Sequence, residues 1–176
     1  MRTIHVLFYT PSSEDFWLNH LVTMFDPPFS HCDIQFEDGT ASGVYQGETV
    51  YWEKKSFSRQ GYTRMSLAVD EQEYQKVWKF CRETFVSKIS FDPMGMAMSI
   101  SPIPLRKPAT RTFCSRYILE ALQKTGRPEF TQHNPCLISP SGLHAILKET
   151  GKGFLDVSEK RMATFMHSGV TSANVR

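Results

Sequence analysis

No stretch of this chain approaches the roughly 20 uncharged apolar residues that a membrane-spanning helix requires. Its opening, MRTIHVLFYTPSSED, turns acidic before a signal-peptide core could form. Membrane insertion and secretion by the standard routes are therefore not expected, and an intracellular, cytoplasmic location is. Cysteine is scarce as well: Cys32, Cys81, Cys114 and Cys136 are the whole complement, with no CxxC pair among them. That spacing excludes a disulfide scaffold and an ordinary zinc finger and implies free thiols in a reducing compartment. His31 beside Cys32 and His133 three residues before Cys136 lie in two distant segments, and neither a metal nor a cofactor is expected. An excess of one charge is also missing, since 20 Lys and Arg stand against 18 Asp and Glu. The electrostatic footprint of a dedicated nucleic-acid binder is thus absent, and Trp17, Trp52 and Trp78 read as packing residues rather than a base-stacking platform.

What is present is enough for one core: 176 residues, 40% hydrophobic. The expectation is a single domain over residues 1–157, with no internal repeat, followed by a polar, poorly ordered tail over 158–176. Thr3 to Tyr9, TIHVLFY, is β-branched and aromatic and ends at Thr10-Pro11, as a first strand should. Phe16, Trp17, Leu21 and Met24 recur at helical spacing until Asp26-Pro27-Pro28. Ser30 to Phe36 then switches to period two, with Cys32, Ile34 and Phe36 on one face and His31, Asp33 and Gln35 on the other. Asp38-Gly39 is a hairpin signal, and Gly43 to Gln46, Val50 to Glu53 and Tyr62 to Val69 continue as strands of an antiparallel meander.

Asp70 and Glu73 have capping-box spacing ahead of a stripe of Tyr74, Val77, Trp78, Cys81 and Phe85, which predicts a helix. Ser90 to Thr110, rich in Pro, Met and Ser, reads as a long loop with one helical turn. Thr112 is placed to cap a helix carrying Cys114, Tyr117, Ile118, Ala121 and Leu122 inward and closing near Gly126. Ser139-Pro140 opens another, with Leu143, Ile146 and Leu147 as its apolar side and Gly151 past its end.

Cys114 is the chemically distinctive residue. A thiol in the first helical turn sits among unpaired backbone N–H groups at the positive end of the helix dipole, which favours the nucleophilic thiolate. Arg111 and Arg116 lie close in sequence and act in the same direction. A thiol also needs a base, and His31, opening a strand directly after Pro27-Pro28-Phe29, is the best-placed histidine, with His133 in reserve. The imidazole in turn benefits from a partner on its other nitrogen; Asp33 shares its face, and Ser42 and Gln46 lie just past the hairpin. Met94, Met96, Met98 and Ile103 are candidates to line an apolar acyl or peptide groove.

The segment PFSHCDIQFEDG resembles the histidine strand of the NlpC/P60 superfamily, and TFCSRYILEAL resembles its nucleophile helix, with histidine preceding cysteine. That order is similar to the circularly permuted branch of the papain-like folds, which includes YiiX-like proteins, relatives of lecithin:retinol acyltransferase and a group of poxvirus proteins. SFDPMG resembles the Tyr/Phe-Asp-x-x-Gly segment before the cysteine, FCSRYI the Cys-Ser-Glu-hydrophobic motif, and SPSGLHAIL the Ser-Pro-x-x-Leu helix after it; together they cover roughly residues 3 to 150. Arg116 departs from the family's Glu, and the third polar position matches neither Ser42 nor Gln46 clearly.

The resemblance implies an α+β permuted papain-like fold, with an antiparallel sheet packed against the nucleophile-bearing helix. It also implies a cysteine hydrolase in which Cys114 attacks a peptide, isopeptide or related amide or ester carbonyl and passes through a thioester, with His31 as proton acceptor and donor; Asp33, on the same strand face, is the third residue expected from the reading of the strand. A thiol acyltransferase handing the acyl group to a lipid or amine, and a non-catalytic binding module retaining the fold, are the alternatives. The expected partner is a peptide, protein or lipid-amide substrate, with no nucleic acid and no integral membrane segment.

Overall fold

The computed structural model describes residues 1–13, 17–57, 61–99 and 110–150. The expected strands assemble into an α+β fold around a five-stranded antiparallel sheet, ordered β4-β3-β2-β1-β5. β1 (Arg2–Tyr9) is central, pairing with β2 (His31–Phe36) on one side and β5 (Tyr62–Val69) on the other. β3 (Thr40–Gly43) and β4 (Tyr51–Lys54) complete a meander from β2. Among the described residues no helix is long and apolar enough to cross a membrane.

One face of the sheet is uniformly apolar because the period-two patterns come into register: Ile4 lies opposite Phe36, Val6 opposite Ile34 and Phe8 opposite Cys32. Val6 and Ile4 meet Met65 and Leu67 on the other side. All of these side chains are buried and form the core with residues of helices described below. α1 (Trp17–Phe25) precedes β2. Met24 on α1 is exposed rather than facing inward, Phe16 lies outside the described residues, and so do the side chains of Trp17 and Leu21.

α2 (Glu71–Val86) starts as its sequence dictates, with the Asp70 carboxylate accepting from the Glu73 N–H and the Glu73 carboxylate accepting from the Asp70 N–H. Tyr74, Val77 and Cys81 are its core stripe, Trp78 is half-buried, and Phe85 is exposed, so the apolar face is one turn shorter than its sequence suggests. Trp52 and Trp78 meet edge to face at 5.1 Å, a packing contact.

Two expectations about strand position are corrected. The strand expected over Gly43 to Gln46 is instead Thr40–Gly43, and the chain turns away from the sheet after Gly43. Thr40-Ala41-Ser42-Gly43 has weak intrinsic strand preference; pairing with β2 and β4 imposes the extended form. The second concerns β2, read as having one solvent-facing polar side. It is buried on both faces, because residues after the hairpin fold over His31, Asp33 and Gln35.

The segment after Ser90 is more ordered than a loop. β6 (Ser90–Phe91) pairs in parallel with β7 (Arg111–Thr112), and α3 (Pro93–Met98) lies between them, while residues 100–109 fall outside the described residues. Asp92 caps α3 through its carboxylate and the Gly95 N–H, and a Cβ on Gly95 would come within 2.5 Å of that carboxylate. The Asp-x-x-Gly pattern is thus a cap that needs a bare backbone. β7 leads directly into α4 (Cys114–Gln123), so the small ladder fixes where that helix begins.

α5 (Pro128–Thr131) and a 3₁₀ turn (Pro135–Leu137) follow. α6 (Pro140–Glu149) is capped by Ser139 Oγ accepting from the Gly142 N–H, and it buries Leu143, Ile146 and Leu147. Gly151 and the polar tail lie outside the described residues.

Candidate active site

Cys114 is the first residue of α4, and Phe113, whose side chain cannot accept a hydrogen bond, occupies the cap position. Thr112, expected to cap the helix, instead lies in β7, and its hydroxyl has no hydrogen-bond partner among the described residues. The correction sharpens the chemistry. With no side chain spent on capping, the first-turn N–H groups stay available to an anion at the helix end. The helix itself is held rigidly: Cys114, Tyr117, Ile118, Ala121 and Leu122 are all buried, and Arg116 is buried in an ion pair with Glu120 at 3.1 Å.

β2 brings two groups to the Cys114 sulfur. Pairing between β2 and β3 runs only through Ile34–Ser42 and Gln35–Ala41, so the upstream end of β2 has no strand on that side. There the Cys32 thiol, the Cys32 backbone N–H and the His31 imidazole are the polar groups that act on the Cys114 sulfur. His31 Nε2 lies 3.0 Å from Asp33 Oδ1. The order of groups is therefore Cys114, His31, Asp33.

The electrostatics follow from these contacts. The Cys32 hydrogen bond holds the Cys114 pKa well below the ordinary thiol value; burial opposes this, while the hydrogen bond and charge of His31 add to it. Burial also opposes charge on His31, but the Asp33 carboxylate and the Cys114 thiolate outweigh it and push the imidazole up to about 10. Burial drives Cys81 the other way, up to about 12, and drives Cys32 well above its usual value, so Cys32 remains a thiol and a donor.

Asp33 is fully buried, and a buried carboxylate needs several donors to stay charged. It has three: His31, the Tyr51 hydroxyl at 2.8 Å and the Tyr45 hydroxyl at 3.3 Å. Burial and the Asp33 charge raise the pKa of both phenols, which keeps them protonated as donors. Tyr45 also stacks on the His31 ring at 4.5 Å, Tyr51 stacks on Tyr45 at 5.5 Å, and Lys55 Nζ donates to the Tyr45 hydroxyl at 2.8 Å. Sequence reasoning missed this tyrosine pair. The available signal was the Tyr-rich stretch just after the hairpin, opposite a strand bearing His and Asp.

Of the three candidates for the residue behind the histidine, Asp33 makes the contact. Ser42 points elsewhere, bonding to Tyr117 Oη at 2.6 Å and to the Tyr51 carbonyl at 2.7 Å. Gln46 lines the cleft above the sulfur. That cleft has a volume of about 480 Å³ and includes Cys114 and His31 in its wall. The register explains its position, since His31, Tyr9 and Tyr62 form one cross-strand row at the end of the sheet. Val44, Phe91 and Met96 make the wall largely apolar. Met94 is exposed, Met98 is outside the cleft wall, and Ile103 lies outside the described residues.

His133 sits near the surface, 3.4 Å from Gln132 Nε2, and Cys136 is half-buried; neither belongs to the cleft wall. Among the described residues no group of three or more His, Cys, Asp or Glu side chains is arranged to hold a metal ion. No family model, curated protein or solved structure matches the chain.

Proposed function

We propose that this cleft is the active site of a cysteine hydrolase of permuted papain-like type, cleaving a peptide, isopeptide or related amide or ester bond through a thioester. The observation that carries the reading is that Cys114, at an uncapped helix start, shares one cleft wall with His31, which Asp33 backs at 3.0 Å. The thiolate adds to the substrate carbonyl carbon, forming the C–S bond while the carbonyl electron pair moves onto oxygen. The Cys114 backbone N–H is a donor to that oxyanion. As the tetrahedral intermediate collapses, the bond to the leaving group breaks and the His31 imidazolium supplies its proton. Water, deprotonated by the now neutral imidazole, then attacks the thioester, and the C–S bond breaks to release the carboxylic acid and restore the Cys114 thiolate beside the His31 imidazolium. Asp33 holds the ring in orientation and balances its charge.

The apolar wall suits a substrate whose acyl portion is aromatic or aliphatic. Thiolate chemistry of this kind needs a reducing compartment, in keeping with four free cysteines. The test is labelling followed by turnover. Iodoacetamide near pH 6 should modify Cys114 ahead of the more exposed Cys136, His31→Ala should slow that reaction, and an activated ester should leave an acyl group on Cys114. Equal labelling of the two cysteines, or no acyl adduct, would overturn the proposal. Release of the adduct to water rather than to an added amine or lipid separates hydrolase from acyltransferase.

A further inference from the structure

Ser30 is buried, lines the cleft together with Cys114 and His31, and its hydroxyl oxygen has no hydrogen-bond partner among the described residues. A buried hydroxyl left unpaired is costly, so such a group at the wall of a reactive cleft calls for a partner that arrives from outside. Its backbone is already committed, the Ser30 N–H donating to the carbonyl of Tyr9, the residue paired with His31, at 2.9 Å. Ser30 directly precedes His31 and shares the cleft wall with Cys114, the first residue of the uncapped α4.

We propose that Ser30 is a catalytic residue, its hydroxyl donating to the oxyanion that forms when Cys114 adds to a substrate carbonyl. The inference rests on the thiol-hydrolase reading above. Ser30 transfers no proton. Its hydrogen bond strengthens as the carbonyl electron pair localises on oxygen, and it weakens when that pair returns to re-form the C=O of the thioester. With the Cys114 backbone N–H it makes a two-donor site, one donor from β2's approach and one from α4. The unpaired hydroxyl of the free protein is then a cost recovered only in the transition state, the condition for raising turnover rather than mere affinity.

Two reagents separate this role from a structural one. Iodoacetamide alkylates the thiolate by displacement at a saturated carbon in a reaction that creates no oxyanion, whereas a nitrophenyl ester of a short fatty acid must pass through one. Ser30→Ala should slow acylation of Cys114 by about 10- to 100-fold while leaving the alkylation rate and its pH profile within about twofold of wild type. Ser30→Thr, which keeps the hydroxyl, should recover most of the acylation rate. Thermal unfolding of Ser30→Ala should come at or above the wild-type temperature, since an unpaired buried hydroxyl is all that is removed. Unchanged acylation in Ser30→Ala, or acylation and alkylation slowed by the same factor, would overturn the assignment of Ser30 alone. A wild-type protein that is alkylated at Cys114 but never acylated would overturn the hydrolase reading and this inference with it.

Discussion

Gly43 lies directly against the Asp33 carboxylate: a Cβ on Gly43 would stand 1.9 Å from Asp33 Oδ1. No unusual backbone angle calls for glycine there, so the requirement is space. The last residue of β3 leaves room for the buried group that fixes His31.

Gly43→Ala should therefore behave as a lesion of Asp33. The added methyl drives the carboxylate off His31 Nε2 and away from Tyr51, and turnover of an activated ester should fall roughly 100-fold, as for Asp33→Asn. Because both changes remove one interaction, the double variant should be little worse than either single variant. Steady-state kinetics on the four proteins checks this; a Gly43→Ala enzyme of wild-type rate would mean that Asp33 does not support the histidine.

The pH profile follows from opposite displacements of the two charged groups. His31, raised to about 10, keeps its proton through neutrality and loses it as pH rises through that value. Cys114, held low chiefly by Cys32 and also by His31, is already thiolate across the same range. Alkylation of Cys114 should be nearly flat around neutrality and fall only on the acid side of the ordinary thiol range. Ester turnover should fall as pH rises through about 10, where the proton for the leaving group is lost. Stability has the same sign on the alkaline side. The His31 contribution is complete below the unfolded histidine value of about 6.5 and is lost as pH rises through about 10. Rate measurements by mass spectrometry across pH, with urea unfolding at each pH, check both curves.

How much of this was legible beforehand depends on whether the cause was local. β1, β5 and the start of α2 carry their signals within a few residues: a β-branched run, and an Asp-x-x-Glu box whose two reciprocal bonds form as expected. His31, Cys114 and Asp33 were nameable because a strand start, a helix start and a shared strand face are all local features. What depended on distant segments was not. Thr40–Gly43 is a strand only because β2 and β4 flank it. The polar face of β2 is buried because Tyr45 and Tyr51 return over it, and nothing in HCDIQF foretells that. Ser30 could not be distinguished from any other serine, since its significance is a missing hydrogen bond.

Cys32 makes a further prediction, because it is the largest influence on Cys114 and lies on the apolar face of β2. Cys32→Ala removes the S–H donor, so the acid limb of the Cys114 alkylation profile should move to higher pH. Cys32→Ser supplies an O–H donor in nearly the same place and should leave that limb close to wild type. Loss of the buried sulfur in the alanine variant should cost on the order of 1 kcal/mol. Alkylation profiles that coincide in all three proteins would show that the thiolate is held by His31 and the helix end alone.

The last prediction concerns the support of α4 rather than its reactive end. Arg127, just past that helix, grips Glu73 at the start of α2 with two bonds of 2.6 and 2.7 Å and also donates to the Ala68 carbonyl at 2.9 Å. Glu73 is at the same time the acidic half of the capping box, so one carboxylate ties together the C-terminal side of α4, the end of β5 and the start of α2. Arg127 holds the Glu73 pKa below its usual value, against a smaller effect of burial. A carboxylate depressed in this way stabilises the fold fully above its unfolded value of about 4.3, and that contribution is lost as pH falls through the lower folded value. Glu73→Gln keeps the size but loses the charge, and should lower unfolding stability at neutral pH by about 1 to 3 kcal/mol. Arg127→Ala should lose a similar amount. Since neither residue lines the cleft, the alkylation rate of Cys114 in the folded protein should be unchanged in both. A variant that keeps its stability but loses reactivity would instead mean that this clamp sets the position of the helix start, and urea titrations run beside iodoacetamide kinetics distinguish the two outcomes.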